Sequence, residues 1–225
     1  RAGPPLGTER RSMTNTALLN NIDHQDLKVV TGHGPDYGDN INQTPVFPTE
    51  FAEVQREYPI LFRKDETGKF HSVALLGLDK GENLFLTESG WKAHYVPAIH
   101  QTQGQPLFLQ HGGNAPYLEH VSHVLRVINR GAEIAEPMFA AFQAADLIEP
   151  ATLDIQLDDH TSYKVPDIYS ISEERLAALG GAELERLHKS GFLRAAYLVL
   201  ASFHNVRRLI ELKNAKRAAS AQASL

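Results

Sequence analysis

The chain has 225 residues, 42% of them hydrophobic and 22% charged, with a net charge of −5 and no cysteine. These values fit one globular core and exclude disorder throughout, disulfides, thiolate zinc sites and a cysteine nucleophile. The sequence pI of about 6.1 gives no general attraction to nucleic acid. Because no apolar run approaches the length of about 18 residues that spans a bilayer, we expect a soluble, cytoplasmic protein.

The start of the chain, RAGPPLGTERRSMTN, carries basic residues without the apolar run of a signal peptide. We expect residues 1–21 to be a disordered leader or a cloning remnant, with Met13 as the native start. Residues 22–217 are predicted to form a single domain, and residues 218–225 a frayed tail.

The segment 27–110 contains short apolar runs separated by glycine and proline, which predicts strands. The clearest is a hairpin, YPILFRKDETGKFHSVALLGL, in which Gly68 can take the positive φ of a tight turn. Gly81 is expected in a second turn. The runs LKVV, NLFL, HYVPAI and PLFL predict further strands, and the whole pattern predicts a largely antiparallel sheet.

Helical periodicity begins at Asn114, the predicted N-cap, with Pro116 in the first turn. We expect Gly131 and Pro137 to bend the stretch 116–146 or to divide it into two helices. Alternation in TLDIQLDD predicts a half-buried strand paired with YKVPDIYSI, and helical spacing returns over 172–217, ending in a long C-terminal helix. We therefore predict an α+β fold, a largely antiparallel sheet covered by helices.

The stretch TGHGPDYGDN, residues 31–40, is the first candidate site. Its side chains offer donors and acceptors, and its glycines allow a ligand to approach closely. The opposing interpretation is a simple turn, since Asp and Asn beside Gly form turns through local hydrogen bonds. As a ligand site it is expected at the mouth of a cleft walled by YPILF and ALLGL, away from any metal. The candidate residues are His33, Asp36, Tyr37, Asp39 and Asn40.

Asn83 and Trp91, in GENLFLTESGW, are further candidates for binding a sugar or a peptide. A lone tryptophan is more often part of a core, and that alternative stays open. In TEFAEVQREYP, Glu50, Glu53 and Glu57 are expected to form an exposed acidic helix face rather than a pair for acid–base chemistry.

One pattern has the form of a metal site. His24 and Asp26 could supply two ligands of an iron centre, which a distant histidine would complete. A chain with this many histidines and carboxylates contains such an H-x-D pattern by chance. We therefore predict no metal and no cofactor; the histidines considered as a third ligand are His71, His94, His100 and His111.

Five blocks occur in an order and at lengths that are specific: HGPDYGDN, FPTEFAEVQREYPILFRKDETGKFHSVALLGLDKGENLFLTESGWKAHYVPA, PLFLQHGGNAPYLEHV, ISEERLAAL and GFLRAAYLVLASFHNVRRLIELKN. Together they lie within residues 22–216 and resemble the bacterial SapC family. The resemblance implies accessory proteins encoded near TonB-dependent outer-membrane receptors and flavin-dependent tryptophan halogenases. It supplies no catalytic residues. It also implies a segment missing after YVPAI, and we predict a chain break between His100 and Gly104.

Two classes of function follow. The favoured class is a soluble accessory or binding protein that recognises a peptide, sugar or protein partner, linked to outer-membrane receptor uptake or to peptide modification, with no nucleic-acid partner and no membrane span. The alternative is a metal- or flavin-linked oxidative enzyme acting on a peptide. A pocket with three converging His or Asp ligands would favour the enzyme, and an apolar patch the binding protein.

Overall fold

The computed structural model describes residues 18–27, 33–34, 38–88, 90–100, 107–109, 113–158 and 161–223. The predicted strand LKVV beyond Leu27 and the predicted chain break after His100 lie outside these residues, as do most of the predicted leader and the last two residues of the predicted tail.

A five-stranded antiparallel sheet forms the framework. Its strands, in chain order, are β1 (Gln43–Pro45), β2 (Ile60–Lys64), β3 (Phe70–Leu75), β6 (Ile148–Asp158) and β7 (Thr161–Ile171). Their order across the sheet is β1-β3-β2-β7-β6, and two short strands, β4 (Leu86–Thr87) and β5 (Gly90–Trp91), pair separately. The α+β prediction with a largely antiparallel sheet is confirmed.

The hairpin of β2 and β3 forms where the sequence predicts it. Gly68 has φ +81° in the connecting turn, a conformation that glycine adopts without a Cβ penalty. An oxygen of the Asp65 side chain accepts the backbone N–H groups of Thr67 at 2.8 Å and Lys69 at 3.0 Å. Gly81 also lies in a turn, with φ +76°.

Helices cover the sheet and supply the rest of the core. They are α1 (Phe51–Val54), α2 (Pro116–Ala144), α3 (Glu173–Ala177), α4 (Gly181–Lys189), α5 (Phe192–Ser202) and α6 (Val206–Ala223). Helix α5 continues through a 3-10 turn, Phe203–Asn205, into α6, which gives the predicted long C-terminal helix and carries it past residue 217. No helix within the described part of the chain is long and apolar enough to cross a membrane.

Helix α2 is one helix, so the predicted division at Gly131 and Pro137 is wrong. Pro137 lies on the exposed side, where water can satisfy the carbonyl that its missing N–H leaves unpaired. The predicted N-cap is also wrong, because the capping position is Ala115 and Asn114 instead forms a β-bridge with Phe108.

Two predicted strands are replaced by irregular backbone. Of NLFL only Leu86 lies in a strand, because the side-chain oxygen of Asn83 accepts the N–H of Phe85 at 3.0 Å and forms a turn. HYVPAI forms a loop that enters a 3-10 turn, Ala98–His100. Buried carboxylates, rather than a neighbouring strand, accept its N–H groups.

The main core lies between the sheet and helices α2 and α5. The ring of Phe62 on β2 meets Phe139 of α2 at 5.0 Å between centroids, edge to face. The buried hydroxyl of Ser202, at the end of α5, accepts the N–H of Ile60 at 2.8 Å. This bond satisfies a strand N–H that the neighbouring strand does not use.

Candidate functional site

Asp39 is the centre of a buried polar cluster. Its side chain is 7% exposed, and one oxygen lies 2.9 Å from Nδ1 of His100. The other oxygen lies 3.2 Å from Nδ1 of His33 and accepts the N–H of Gly34 at 3.0 Å. A buried carboxylate needs such donors. Here they come from residues 33–34, just before Asp39, and from His100, 61 positions after it. We define the Asp39 cluster as His33, Asp39, Thr44, Trp91 and His100.

His100 bridges Asp39 and strand β1. Its Nε2 lies 2.8 Å from the hydroxyl of Thr44, so hydroxyl, imidazole and carboxylate follow one another as in a nucleophile relay. Thr44 is only 1% exposed, and a hydroxyl with so little exposure has no room for the substrate carbonyl that it would attack. The arrangement therefore holds the segment around His100 against β1.

Trp91 packs between the two histidines. Its ring centroid lies 5.3 Å from that of His33, edge to face, and 5.3 Å from that of His100 at a tilt of 35°. The indole N–H donates to the hydroxyl of Tyr58 at 2.8 Å, and this hydroxyl donates to the carbonyl of Tyr95 at 2.6 Å. Trp91 as a residue is half-buried, and its ring contacts and the indole hydrogen bond hold its side chain in one position.

Burial and charge set the protonation of His100. Burial lowers the pKa of His100 below its ordinary value, and the adjacent Asp39 opposes this by its hydrogen bond and its charge. His33 acts in the same direction as burial, because two imidazolium charges close together repel each other. The neutral form of His100 is thus favoured, and the tautomer with a proton on Nδ1 donates to Asp39.

Two buried glutamates anchor the loop that leads to His100. Glu50 accepts the N–H of Ala98 at 2.9 Å and the hydroxyl of Tyr95 at 2.8 Å. Glu57 accepts the N–H groups of His94 at 2.7 Å and Tyr95 at 3.1 Å. Burial raises the pKa of Glu50, although these hydrogen bonds oppose the increase.

The predicted exposed acidic face is therefore wrong for two of its three members. Glu50 is 3% exposed and Glu57 5%, while only Glu53 is half exposed and pairs with Arg56. The reason is tertiary, because the loop 94–98 brings N–H groups that have no strand partner and need acceptors.

The structure brings four of the predicted site residues together: His33, Asp39, Asn83 and Trp91. Asn83 donates to the carbonyl of Asp39 at 3.0 Å, and its side-chain oxygen accepts the N–H of Phe85. Its amide therefore stabilises the fold. Asn40 is exposed beside Asp39. Asp36 and Tyr37 lie outside the described residues.

Sequence reasoning missed Thr44 and Tyr58 and gave His100 another role, as a third iron ligand. No local pattern marks them, since His100 meets Asp39 across 61 positions and Thr44 across 56. The expected cleft wall is also wrong. Ile60, Leu61 and Leu75 are at most 1% exposed, so YPILF and ALLGL contribute to the core rather than to an open wall.

The residues proposed for iron are used differently. Nδ1 of His24 lies 3.2 Å from the backbone carbonyl of Asn20, in a local turn, and Asp26 is exposed. His94 lies near Glu57 and His71 lies on β3, while His111 is outside the described residues. Across the described ranges, no three His, Asp or Glu side chains converge as metal ligands.

Comparison with known proteins identifies a family. The family model described as SapC matches residues 19–103 and 98–209. The two matched ranges overlap at residues 98–103. Neither a curated protein nor a solved structure matches the chain.

Proposed function

The chain belongs to the SapC family, and from that premise we propose that it is a binding protein that recognises a peptide segment of a partner protein at the Asp39 cluster. One observation carries the proposal. The indole of the half-buried Trp91 is fixed between two imidazoles that the same carboxylate holds.

This arrangement suits recognition because it is ordered before any partner arrives. A fixed aromatic ring contributes contact area at little cost in conformational entropy. The exposed amide of Asn40, next to Asp39 in the chain, offers polar groups to a peptide backbone. Asn40, which is exposed, and Ile99, which is 46% exposed, adjoin Asp39 and His100 in the chain and extend this surface.

The same cluster gives little support to catalysis. Thr44 is the only hydroxyl in it, and its 1% exposure makes attack on a substrate unfavourable. We therefore propose no enzymatic role. A cytoplasmic location remains part of the proposal. So does a link to outer-membrane receptor uptake or peptide modification, which the family resemblance implies.

The test is selection from a displayed library of random peptides with purified protein as the bait. We expect a shared motif to be enriched, and Asn40→Ala and Ile99→Ser to weaken binding of a selected peptide by roughly tenfold or more, about 1.4 kcal/mol. Tyr197→Ser is the matched control, since Tyr197 is 54% exposed on α5, outside the cluster. The proposal would be overturned if no motif is enriched, or if Asn40→Ala and Ile99→Ser bind as well as the control Tyr197→Ser. Preferential binding to glycans in a parallel array would show that the ligand is a sugar and not a peptide.

A further inference from the structure

A buried lysine of the last helix is paired with the loop next to the Asp39 cluster. Lys213 on α6 is 6% exposed, and its Nζ lies 2.8 and 2.9 Å from the two carboxylate oxygens of Glu82. It also contacts the carboxylate of Asp79. Lys216 reaches the same carboxylate of Glu82 at 2.9 Å, but its side chain is 56% exposed.

The Lys213–Glu82 pair constrains geometry more than a surface ion pair does. Both partners are about 7% exposed, and a buried charge that loses its partner is left without solvent to replace it. The loop carrying Glu82 therefore cannot move away from α6 without exposing or orphaning one of the two charges.

The loop 77–83 is packed just as closely on the segment that carries Asp39. The N–H of Gly77 donates to the carbonyl of Asn42 at 3.0 Å, and Asn83 donates to the carbonyl of Asp39 at 3.0 Å. Within the loop, a Cβ at Gly77 would lie 2.1 Å from the carbonyl oxygen of Glu82, so this close approach requires glycine.

We infer that Lys213 is a positioning residue for the Asp39 cluster, acting through Glu82 and the loop 77–83. The C-terminal helix thus fixes the backbone of Asp39, and with it the two imidazoles and Trp91. The inference rests on the proposed function for its biological meaning, but its contacts and its test do not depend on a partner.

The experiment follows two NMR signals in the full chain without any ligand. One is the indole N–H of Trp91, which is easily assigned because the chain has one tryptophan, and the other is the imidazole of His100 through a pH titration. We expect Lys213→Met to shift the indole signal and the midpoint of the His100 titration, and Lys213→Arg to restore both. Lys216→Met, which removes the exposed partner of the same carboxylate, is expected to leave both signals in place.

Stability is controlled separately. Leu187→Ala removes core contacts away from the cluster, at a residue that is 3% exposed, and is expected to destabilise the chain without moving either signal. If Lys213→Met does not fold, the double variant Lys213→Met/Glu82→Met removes both charges and carries the test. Unmoved signals in whichever of these two variants folds would overturn the inference. Failure to select a peptide would overturn the proposed function but not this inference, because the two NMR signals are measured without a ligand.

Discussion

At the scale of single residues, Asp39 is the acceptor on which the candidate site depends. Its two oxygens receive three donors, from His33, Gly34 and His100. The sequence marks Asp39 as a candidate by its place among glycines. What it does not mark is the role, because a turn residue and a buried acceptor have the same local sequence and differ only in distant partners.

Replacing Asp39 by Asn should destabilise the fold and change His100. The amide oxygen of Asn still accepts hydrogen bonds, but its N–H groups face another donor. This unsatisfied contact costs about 1–3 kcal/mol of stability at a buried position. Because Asp39 raises the pKa of His100, the substitution should lower it further. Urea unfolding and an NMR titration of His100 measure the two effects, with the exposed Asp26→Asn as control. An unchanged His100 titration would contradict the contact.

The pKa of His100 also predicts a pH dependence of stability. Burial holds the pKa of the folded state below the ordinary value of 6.5, so the unfolded chain takes up the proton first as the pH falls. As the pH falls from 6.5 to the pKa of folded His100, the free energy of unfolding should decrease. It should increase again as the pH rises over the same range.

The check is the difference in unfolding free energy between the wild-type chain and His100→Asn across this range. Burial raises the pKa of Glu50, so its contribution has the opposite sign and is lost as the pH rises through its folded pKa. This contribution is common to both proteins and cancels in the difference. If the difference in unfolding free energy between the two proteins does not change with pH, the pH dependence does not come from His100.

At the scale of elements, the continuity of α2 depends on packing that the sequence does not show. Gly131 and Pro137 both disfavour a helix interior by local propensity. Gly131 is nevertheless required, because a Cβ there would lie 2.4 Å from that of Phe47 and 2.7 Å from the hydroxyl of Thr49. That hydroxyl donates to the helix carbonyl of Val127 at 3.1 Å and ties the turn to the helix.

Gly131→Ala should destabilise the protein, although alanine is the better helix former. The intrinsic gain is about 1 kcal/mol, whereas overpacking a filled site costs about 1–3 kcal/mol. Gly181→Ala is the matched control, since no atom lies within 4 Å of its added Cβ, and it should be neutral or slightly stabilising. Thermal and urea unfolding measure both; a stabilising Gly131→Ala would show that the contact is loose.

The elements that the sequence predicted well are those with a complete local signal. The β2–β3 hairpin has alternating apolar runs and Gly68, and the β6–β7 pair has the alternation around Ile155. HYVPAI has the same composition as a strand, but its N–H groups bond to Glu50 and Glu57. Only the tertiary structure places those carboxylates, so the loop could not be distinguished from a strand beforehand.

At the scale of the whole molecule, one line of contacts runs from the C-terminal helix to the candidate site. It passes from Lys213 to Glu82, through Asn83 to Asp39, and from there to His100. Family membership could be predicted because long blocks carry it, and fold class because the spacing of apolar residues changes from strand-like to helical along the chain. The line of contacts could not be predicted from the sequence. Apart from the neighbours Glu82 and Asn83, each of its steps joins residues far apart in the chain.

The central claim is that a peptide binds against Trp91 in the Asp39 cluster. The most direct measurement is the indole N–H resonance of this single tryptophan during titration with a library-selected peptide, compared with the backbone N–H resonances of α4. The account predicts a saturable shift of the indole signal with the same dissociation constant as the binding itself, while the α4 signals stay in place. A peptide that binds and shifts the α4 signals but not the indole would contradict the claim.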